Sequence, residues 1–188
     1  MEYLDIVDKN GVPTGTTVER KTAHREGVRH RTAHVWVVRQ GAGGWEILLQ
    51  KRALSKESFP GCFDTSSAGH ITAGDEPLSS AMRELYEELG ICAEPSDLPF
   101  VGTFDIEYDK EFYGAMFRDR EVAFVYCYRK PVEIDKLTLQ IEEVDSVKWF
   151  SLTEVLREKE AHNHTFCVPI DSLKLMDSYL AKLPKEDV

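Results

Sequence analysis

Residues 69–91 read Gly69-His70-Ile71-Thr72-Ala73-Gly74-Asp75-Glu76-Pro77-Leu78-Ser79-Ser80-Ala81-Met82-Arg83-Glu84-Leu85-Tyr86-Glu87-Glu88-Leu89-Gly90-Ile91. The second half carries the clearest helical pattern in the chain. Leu78, Ala81, Met82, Leu85 and Leu89 recur at helical spacing and make one apolar stripe. Pro77 suits a first turn, Asp75 offers an N-terminal cap and Gly90 supplies the stop. The pattern predicts a helix over Pro77–Leu89. On its polar side Glu84, Glu87 and Glu88 stand at i, i+3 and i+4, within one turn of one face. Like charges at that spacing repel, and helix propensity asks for no such cluster. A hard divalent cation converts the repulsion into binding, because Mg2+ prefers carboxylate oxygens and retains waters for chemistry. A bare E-x-x-E-E is more commonly a solvated face, so the surroundings have to decide.

Working toward the N-terminus, residues 51–72 read as loop, punctuated by Pro60-Gly61. Before them come strands at 34–39 and 45–50, joined by the glycine-rich run 41–44 into a hairpin. The chain opens with another hairpin over about residues 1–20: 4–7 is strand-like, Asn10-Gly11 turns, and 16–18 returns. Toward the C-terminus, 122–128 is a strongly apolar strand and 146–150 another. Ser151-Leu152-Thr153-Glu154 looks like a capping box, and an amphipathic helix covers about 170–183. No linker separates a second unit, so residues 1–188 are expected to form one mixed α+β domain. Residues 104–120 are acidic and aromatic-rich, fitting a base-stacking loop, a lid or a dimer contact.

With 188 residues, 42% hydrophobic, the chain is long enough for a substantial core. No run approaches a membrane span, and the first residues lack a basic segment followed by an apolar one. A cytoplasmic location without membrane partners is therefore expected. A net charge of −10, from 33 acids and 23 bases, argues against nucleic acid as a partner, because no surplus cation replaces condensed counterions. Cys62, Cys92, Cys127 and Cys167 lie far apart, with no C-x-x-C pair, and read as reduced thiols rather than a disulfide frame or zinc knuckle.

The quoted stretch resembles the Nudix box, G-x5-E-x7-R-E-U-x-E-E-x-G-U with U aliphatic. Gly69, Arg83, Glu84, Leu85, Glu87, Glu88, Gly90 and Ile91 match, and Asp75 stands where the pattern has Glu. Lys51-Arg52, Phe59-Pro60-Gly61 and Val147-Lys148-Trp149-Phe150 are similar to Nudix surroundings as well. The resemblance implies an α/β/α sandwich with a mixed sheet and a loop–helix–loop box at 69–91. It implies a hydrolase of phosphoric anhydrides that cleaves a diphosphate linkage in a nucleoside or isoprenoid diphosphate-type small molecule, using Mg2+ or Mn2+. Glu84 and Glu88 would be the principal metal ligands, with Glu87 a ligand or water-activating base. Glu121, ahead of a strand, would be the additional ligand that the family often takes from a later strand. Gly69, Asp75, Arg83 and Gly90 would be structural, Arg83 pairing with Asp75. Arg52 and Lys56 are the candidate phosphate-binding cations.

The chain is also similar to type 1 isopentenyl-diphosphate isomerases, through Phe59-Pro60-Gly61-Cys62-Phe63 and His70. That resemblance would put His24, His30, His70, Asp119 and Glu121 near a His/Glu metal site. Two departures speak against isomerisation. Ala68 stands where those enzymes have their catalytic cysteine, and the box acids they degrade are intact here. Alternatives to a hydrolase are therefore an isomerase-like enzyme and a non-catalytic ligand-binding regulator. No DNA-binding element accompanies the latter. A homodimer is an open expectation.

Overall fold

The computed structural model describes residues 1–184. The chain opens with the expected hairpin, β1 (Tyr3–Val7) and β2 (Pro13–Glu19). Asp8 closes its turn by accepting from the amides of Asn10 and Val12 at 2.8 and 2.9 Å. Helix α1 (Arg20–Glu26) follows directly and has no counterpart in the sequence reading. Seven residues are too few to display a periodic stripe, and so short a helix is held by packing rather than propensity. Its buried residues are Ala23 and His24.

A seven-stranded mixed sheet forms the body. Its strands are β3 (His30–Gly41), β4 (Gly44–Arg52), β5 (Phe63–Asp64), β6 (Ser67–His70), β7 (Phe100–Phe112), β8 (Ala115–Tyr128) and β9 (Val144–Ser151). The order is β5-β4-β3-β8-β7, with β9 beside β4 and β6 beside β3. β8 runs parallel to β3 along one edge. The other edge of β3 is shared, antiparallel to β6 over residues 32–35 and to β4 over 38–41. Residues 30–38 are buried throughout, as expected for a central strand covered on both faces.

Side-chain alternation along β3 sorts the core into two halves. Ala33, Val35 and Val37 pack with Ala81, Leu85 and Leu89 of α2 (Pro77–Leu89). Trp36 and Val38 pack with Leu152 and Val155 of α3 (Leu152–Glu160) and Leu173 and Met176 of α4 (Ile170–Leu180). Each fully buried leucine contributes about 1.5–3 kcal/mol. The Trp36 indole N–H also donates to Ser172 Oγ at 3.0 Å, tying α4 to the sheet. Helices therefore cover both faces of the sheet, the sandwich the sequence leads one to expect.

Helix α2 has the predicted bounds but not the predicted cap. Glu76 occupies the N-cap and no side chain bonds there, so Asp75 does not cap the helix. Pro77 at the first position has no amide to satisfy, which lessens the need for one. Gly90 ends the helix at φ 71°, and a Cβ there would lie 3.0 Å from Thr138 Cβ. At α3 the Ser151 half of the expected box is present: Ser151 Oγ accepts from the Glu154 amide at 3.4 Å. The final helix stops at Leu180, short of 183.

Two segments differ from their sequence reading. Residues 51–72 contain β5 and β6, whose two- and four-residue lengths hide from any alternation test. The 104–120 segment is no loop but most of the β7–β8 hairpin. It turns at Tyr113 and Gly114, both at positive φ (50° and 79°). Two-residue turns of that hand match strand twist, but a tyrosine at the first position obscures the signal. Among the described residues, no helix is long and apolar enough to cross a membrane.

Candidate active site

A cavity of about 430 Å3 opens at the end of β3 where α1, β6, β8 and α2 converge. Its walls include Glu84, Glu87 and Glu88, the cations Arg52, Lys56 and Arg83, the histidines His24 and His70, and Asp119 and Glu121. Gly69 also lines it, so every candidate ligand or phosphate-binding residue named from sequence, apart from the neighbouring His30, is on this surface.

The α2 acids divide by depth. Glu88 is 5% exposed and accepts from Gln50 Nε2 at 3.2 Å and from the Ala68 amide at 3.1 Å, both through Oε2. Burial, reinforced by the neighbouring Glu84 charge, pushes its carboxyl up to about 8. Glu84 is also raised by burial, against the pull of Arg83. Glu87 is the outermost, its carboxylate accepting from Arg83 at 3.0 Å. A buried carboxylate held against ionisation is one that a cation would stabilise in its charged form.

Arg83 pairs with groups other than the expected Asp75. It contacts Glu84 Oε1 at 2.7 Å, Glu87 Oε2 at 3.0 Å and the His70 carbonyl at 3.1 Å, not Asp75. The Asp75 carbonyl accepts instead from Arg31 at 3.2 Å. Arg31 also pairs with Asp5 at 2.9 Å, and Asp5 accepts from the Gly74 amide at 3.0 Å. The box loop is thus anchored by Asp5 and Arg31, which sequence reasoning missed. A contact between the opening hairpin and the box leaves no local spacing signal.

Arg52 and Lys56 both line the cavity, and both already hold carboxylates. Arg52 bonds Ser58 O at 2.9 Å, Ser58 Oγ at 3.0 Å and Asp64 at 3.1 Å, while Lys56 pairs with Glu143. Arg20 is a further cavity cation the sequence did not single out, paired with Glu2 at 3.0 Å.

Glu121 stands beside the histidines rather than beside the α2 acids. Its Oε1 lies 3.6 Å from His30 Nε2 and 3.8 Å from His70 Nε2, and Thr32 donates to Oε2 at 3.0 Å. His24 Nε2 lies 3.4 Å from His70 Nε2 and 3.6 Å from Asp119. Ligand atoms of His24, His30, His70 and Glu121 all fall within 4.8 Å of one another. His24 and His30 each direct Nδ1 to a backbone carbonyl, Arg20 O at 2.9 Å and Val28 O at 2.8 Å. A carbonyl only accepts, so Nδ1 carries a proton in each ring, and in the neutral form of each ring the Nε2 lone pair faces the cluster.

The electrostatics follow from burial and crowding. Burial, then His30, lowers His24 to about 4, and burial holds His70 well below its ordinary value. Burial opposes ionisation of Glu121, yet the adjacent His30, itself raised by that carboxylate against its own burial, holds Glu121 well below the carboxylate range. Burial and the adjacent Glu121 push Asp119 up to about 8.

The residues present fit a divalent cation. His30 Nε2 and Asp119 Oδ1 are buried without a hydrogen-bond partner, and three imidazoles with a carboxylate make a donor set suited to such an ion. At the α2 acids, Gly69 leaves the room that the Glu84 carboxylate occupies.

Comparison with known proteins places the chain among relatives. The NUDIX domain family matches residues 28–167. An uncharacterized Nudix hydrolase of Clostridium acetobutylicum is 38% identical over 156 residues, covering 83% of this chain and 73% of that protein. Nudix hydrolase 3 of Arabidopsis thaliana is 37% identical over 156 residues, 81% of this chain but 20% of its own length. The chain thus spans about a fifth of that plant relative. An isopentenyl-diphosphate Delta-isomerase of Jannaschia sp. is 30% identical over 79% of each chain. A Deinococcus radiodurans crystal structure shares the fold with a TM-score of 0.68 at 18% identity, over 95% of this chain and 99% of that one.

Proposed function

The chain belongs to the NUDIX domain family, and on that premise we propose a divalent-metal-dependent hydrolase that opens a diphosphate linkage in a nucleoside or isoprenoid diphosphate-type small molecule. The observation that carries the reading is the arrangement of Glu84 and Glu88. Both are withdrawn from solvent on α2, and both face the cavity that holds Arg52 and Lys56.

Mg2+ or Mn2+ held by Glu84 and Glu88, with Glu87 at the rim, would neutralise phosphate oxygens and acidify water. Glu88 is positioned by Gln50 and the Ala68 amide, so its orientation is fixed before any ligand arrives. Arg83 restrains Glu84 and Glu87 from one side. Arg52 and Lys56 would grip the phosphates by exchanging Asp64 and Glu143 for substrate oxygens. Glu87 is the most accessible of the three acids for accepting a proton from attacking water.

The histidine cluster favours a second reading. A site of His24, His30, His70 and Glu121 beside the same cavity supports a second metal and keeps isomerisation of an isoprenoid diphosphate in view. Ala68, which offers no thiol, speaks against it.

The test is release of phosphate or nucleoside monophosphate from nucleoside triphosphates, dinucleoside polyphosphates, sugar nucleotides and isoprenoid diphosphates with Mg2+ or Mn2+. Turnover that disappears in Glu88→Gln supports the hydrolase. No turnover in folded, metal-binding protein overturns it. Interconversion of isopentenyl and dimethylallyl diphosphate would favour the second reading.

A further inference from the structure

Two cysteines distant in sequence stand on neighbouring paired segments, with Cys167 at the cavity wall. Cys62 directly precedes β5, and Cys167 lies between α3 and α4. Between them, the Phe63 amide donates to the Thr165 carbonyl and the Phe63 carbonyl accepts from the Cys167 amide, both at 2.8 Å. Phe63 and Phe166 form a parallel bridge, so the two segments run at hydrogen-bonded strand spacing. Each thiol reaches toward the other's strand. Cys62 Sγ donates to the His164 carbonyl and Cys167 Sγ to the Phe63 carbonyl, both at 3.4 Å. Cys62 is partly exposed and Cys167 lines the cavity. Cys127, by contrast, is buried in the core, where burial pushes its thiol up to about 12.

We propose that Cys62 and Cys167 are a dithiol modification site that reacts with low-molecular-weight disulfides and closes to an intramolecular disulfide. The Cys62 thiolate attacks one sulfur of the small disulfide. A Cys62–sulfur bond forms, the small disulfide's S–S bond breaks, and one small thiolate leaves and takes up a proton. Cys167 then releases its proton to solvent and attacks Cys62 Sγ, expelling the second small thiolate. The protein dithiol gives up two electrons and two protons, and one small disulfide takes them up to become two thiols.

The division of roles follows from the environment. The neighbouring Cys167 lowers the Cys62 thiol to about 6, which favours Cys62 as the attacking group. Cys167 is raised by the same neighbour and by burial, which suits the resolving partner. Once formed, the bond ties the loop carrying Lys56 and Ser58 to the 163–169 segment on the cavity wall. The site is independent of the hydrolase reading.

The experiment exposes the reduced full chain to glutathione disulfide near neutral pH, quenches with acid, alkylates and maps the peptides by mass. The expected product is a chain two hydrogens lighter with Cys62 linked to Cys167, reversed by dithiothreitol. The mixed disulfide on Cys62 should not accumulate in the parent chain, because its closure by Cys167 is intramolecular, whereas glutathione should remain on exposed Cys92. Cys167→Ser should stall with glutathione on Cys62, while Cys92→Ser should leave the linkage unchanged. The proposal is overturned if the folded, unmodified chain keeps Cys62 and Cys167 alkylatable after glutathione has modified Cys92. Linkage of either cysteine to a different partner also overturns it. Because the decisive measurement uses the unmodified chain, a variant that fails to fold does not remove it.

Discussion

A Cβ on Gly69 would fall 2.1 Å from the carboxyl carbon of Glu84. Strand β6 and helix α2 therefore approach so closely that the glycine's missing side chain is the space the acid uses. Gly69→Ala should displace Glu84 and lower metal-dependent turnover by about ten- to a hundredfold, since misplacement of about 1 Å is enough for such losses. Steady-state phosphate release against Mg2+ concentration checks this, and parent-level turnover at all concentrations would refute it.

Glu88→Gln keeps the shape of the residue but removes the charge. Mg2+ at about 100 times its Kd should stabilise the parent by about 2.7 kcal/mol, a rise in thermal midpoint that the variant should lack. Turnover should fall roughly a hundredfold or more. A variant that still gains the full thermal shift would show that the cation binds elsewhere.

Glu121→Gln separates the two clusters. Isothermal titration should resolve an imidazole-containing site in the parent and lose it in the variant, while binding at the α2 acids persists. If both events survive, Glu121 is a structural partner of His30 and Thr32 and no more.

The Trp36–Ser172 bond gives a prediction about the fold alone. Ser172→Ala leaves a buried indole N–H without an acceptor and should cost about 1–3 kcal/mol in urea unfolding. An unchanged midpoint would mean that another acceptor takes over.

Reactivity at Cys62 should follow its lowered pKa. Its folded thiol value is about 6 against an ordinary 9.0. The thiolate-linked contribution to stability is therefore present above the unfolded value and is lost as pH falls through about 6. The direct readout is iodoacetamide alkylation, with a rate midpoint near pH 6 that moves upward in Cys167→Ser. A parent midpoint at the ordinary thiol value would refute the coupling.

The parts of the fold legible in the sequence are those written in local periodicity. The stripe on α2, the Asn10-Gly11 hairpin and the apolar run of β8 need only neighbouring residues to declare themselves. Helix α1 and strands β5 and β6 are too short for any period, and Tyr113 masks the turn of the long hairpin. The same division holds in the cavity. Glu84, Glu87 and Glu88 announce themselves by spacing on one helix, while their burial gradient depends on Gln50, Ala68 and Gly69 from the sheet. The Arg83–Asp75 pair failed because Arg83 found closer acids on its own helix and Asp5 with Arg31 took the loop. The thiol pair was invisible because its members are separated by most of the chain.

Strand β3 pairs in parallel with β8 so that His30 stands opposite Glu121 and Thr32 opposite Ala123. A slip of one residue would turn every β8 side chain over, sending Glu121 to the opposite face and Val122 toward the histidines. The hydrophobic core and the His/Glu cluster therefore share a single act of alignment between segments some ninety positions apart. Such nonlocal pairings form slowly, so a cation caught by the imidazoles during refolding would report that this alignment is complete.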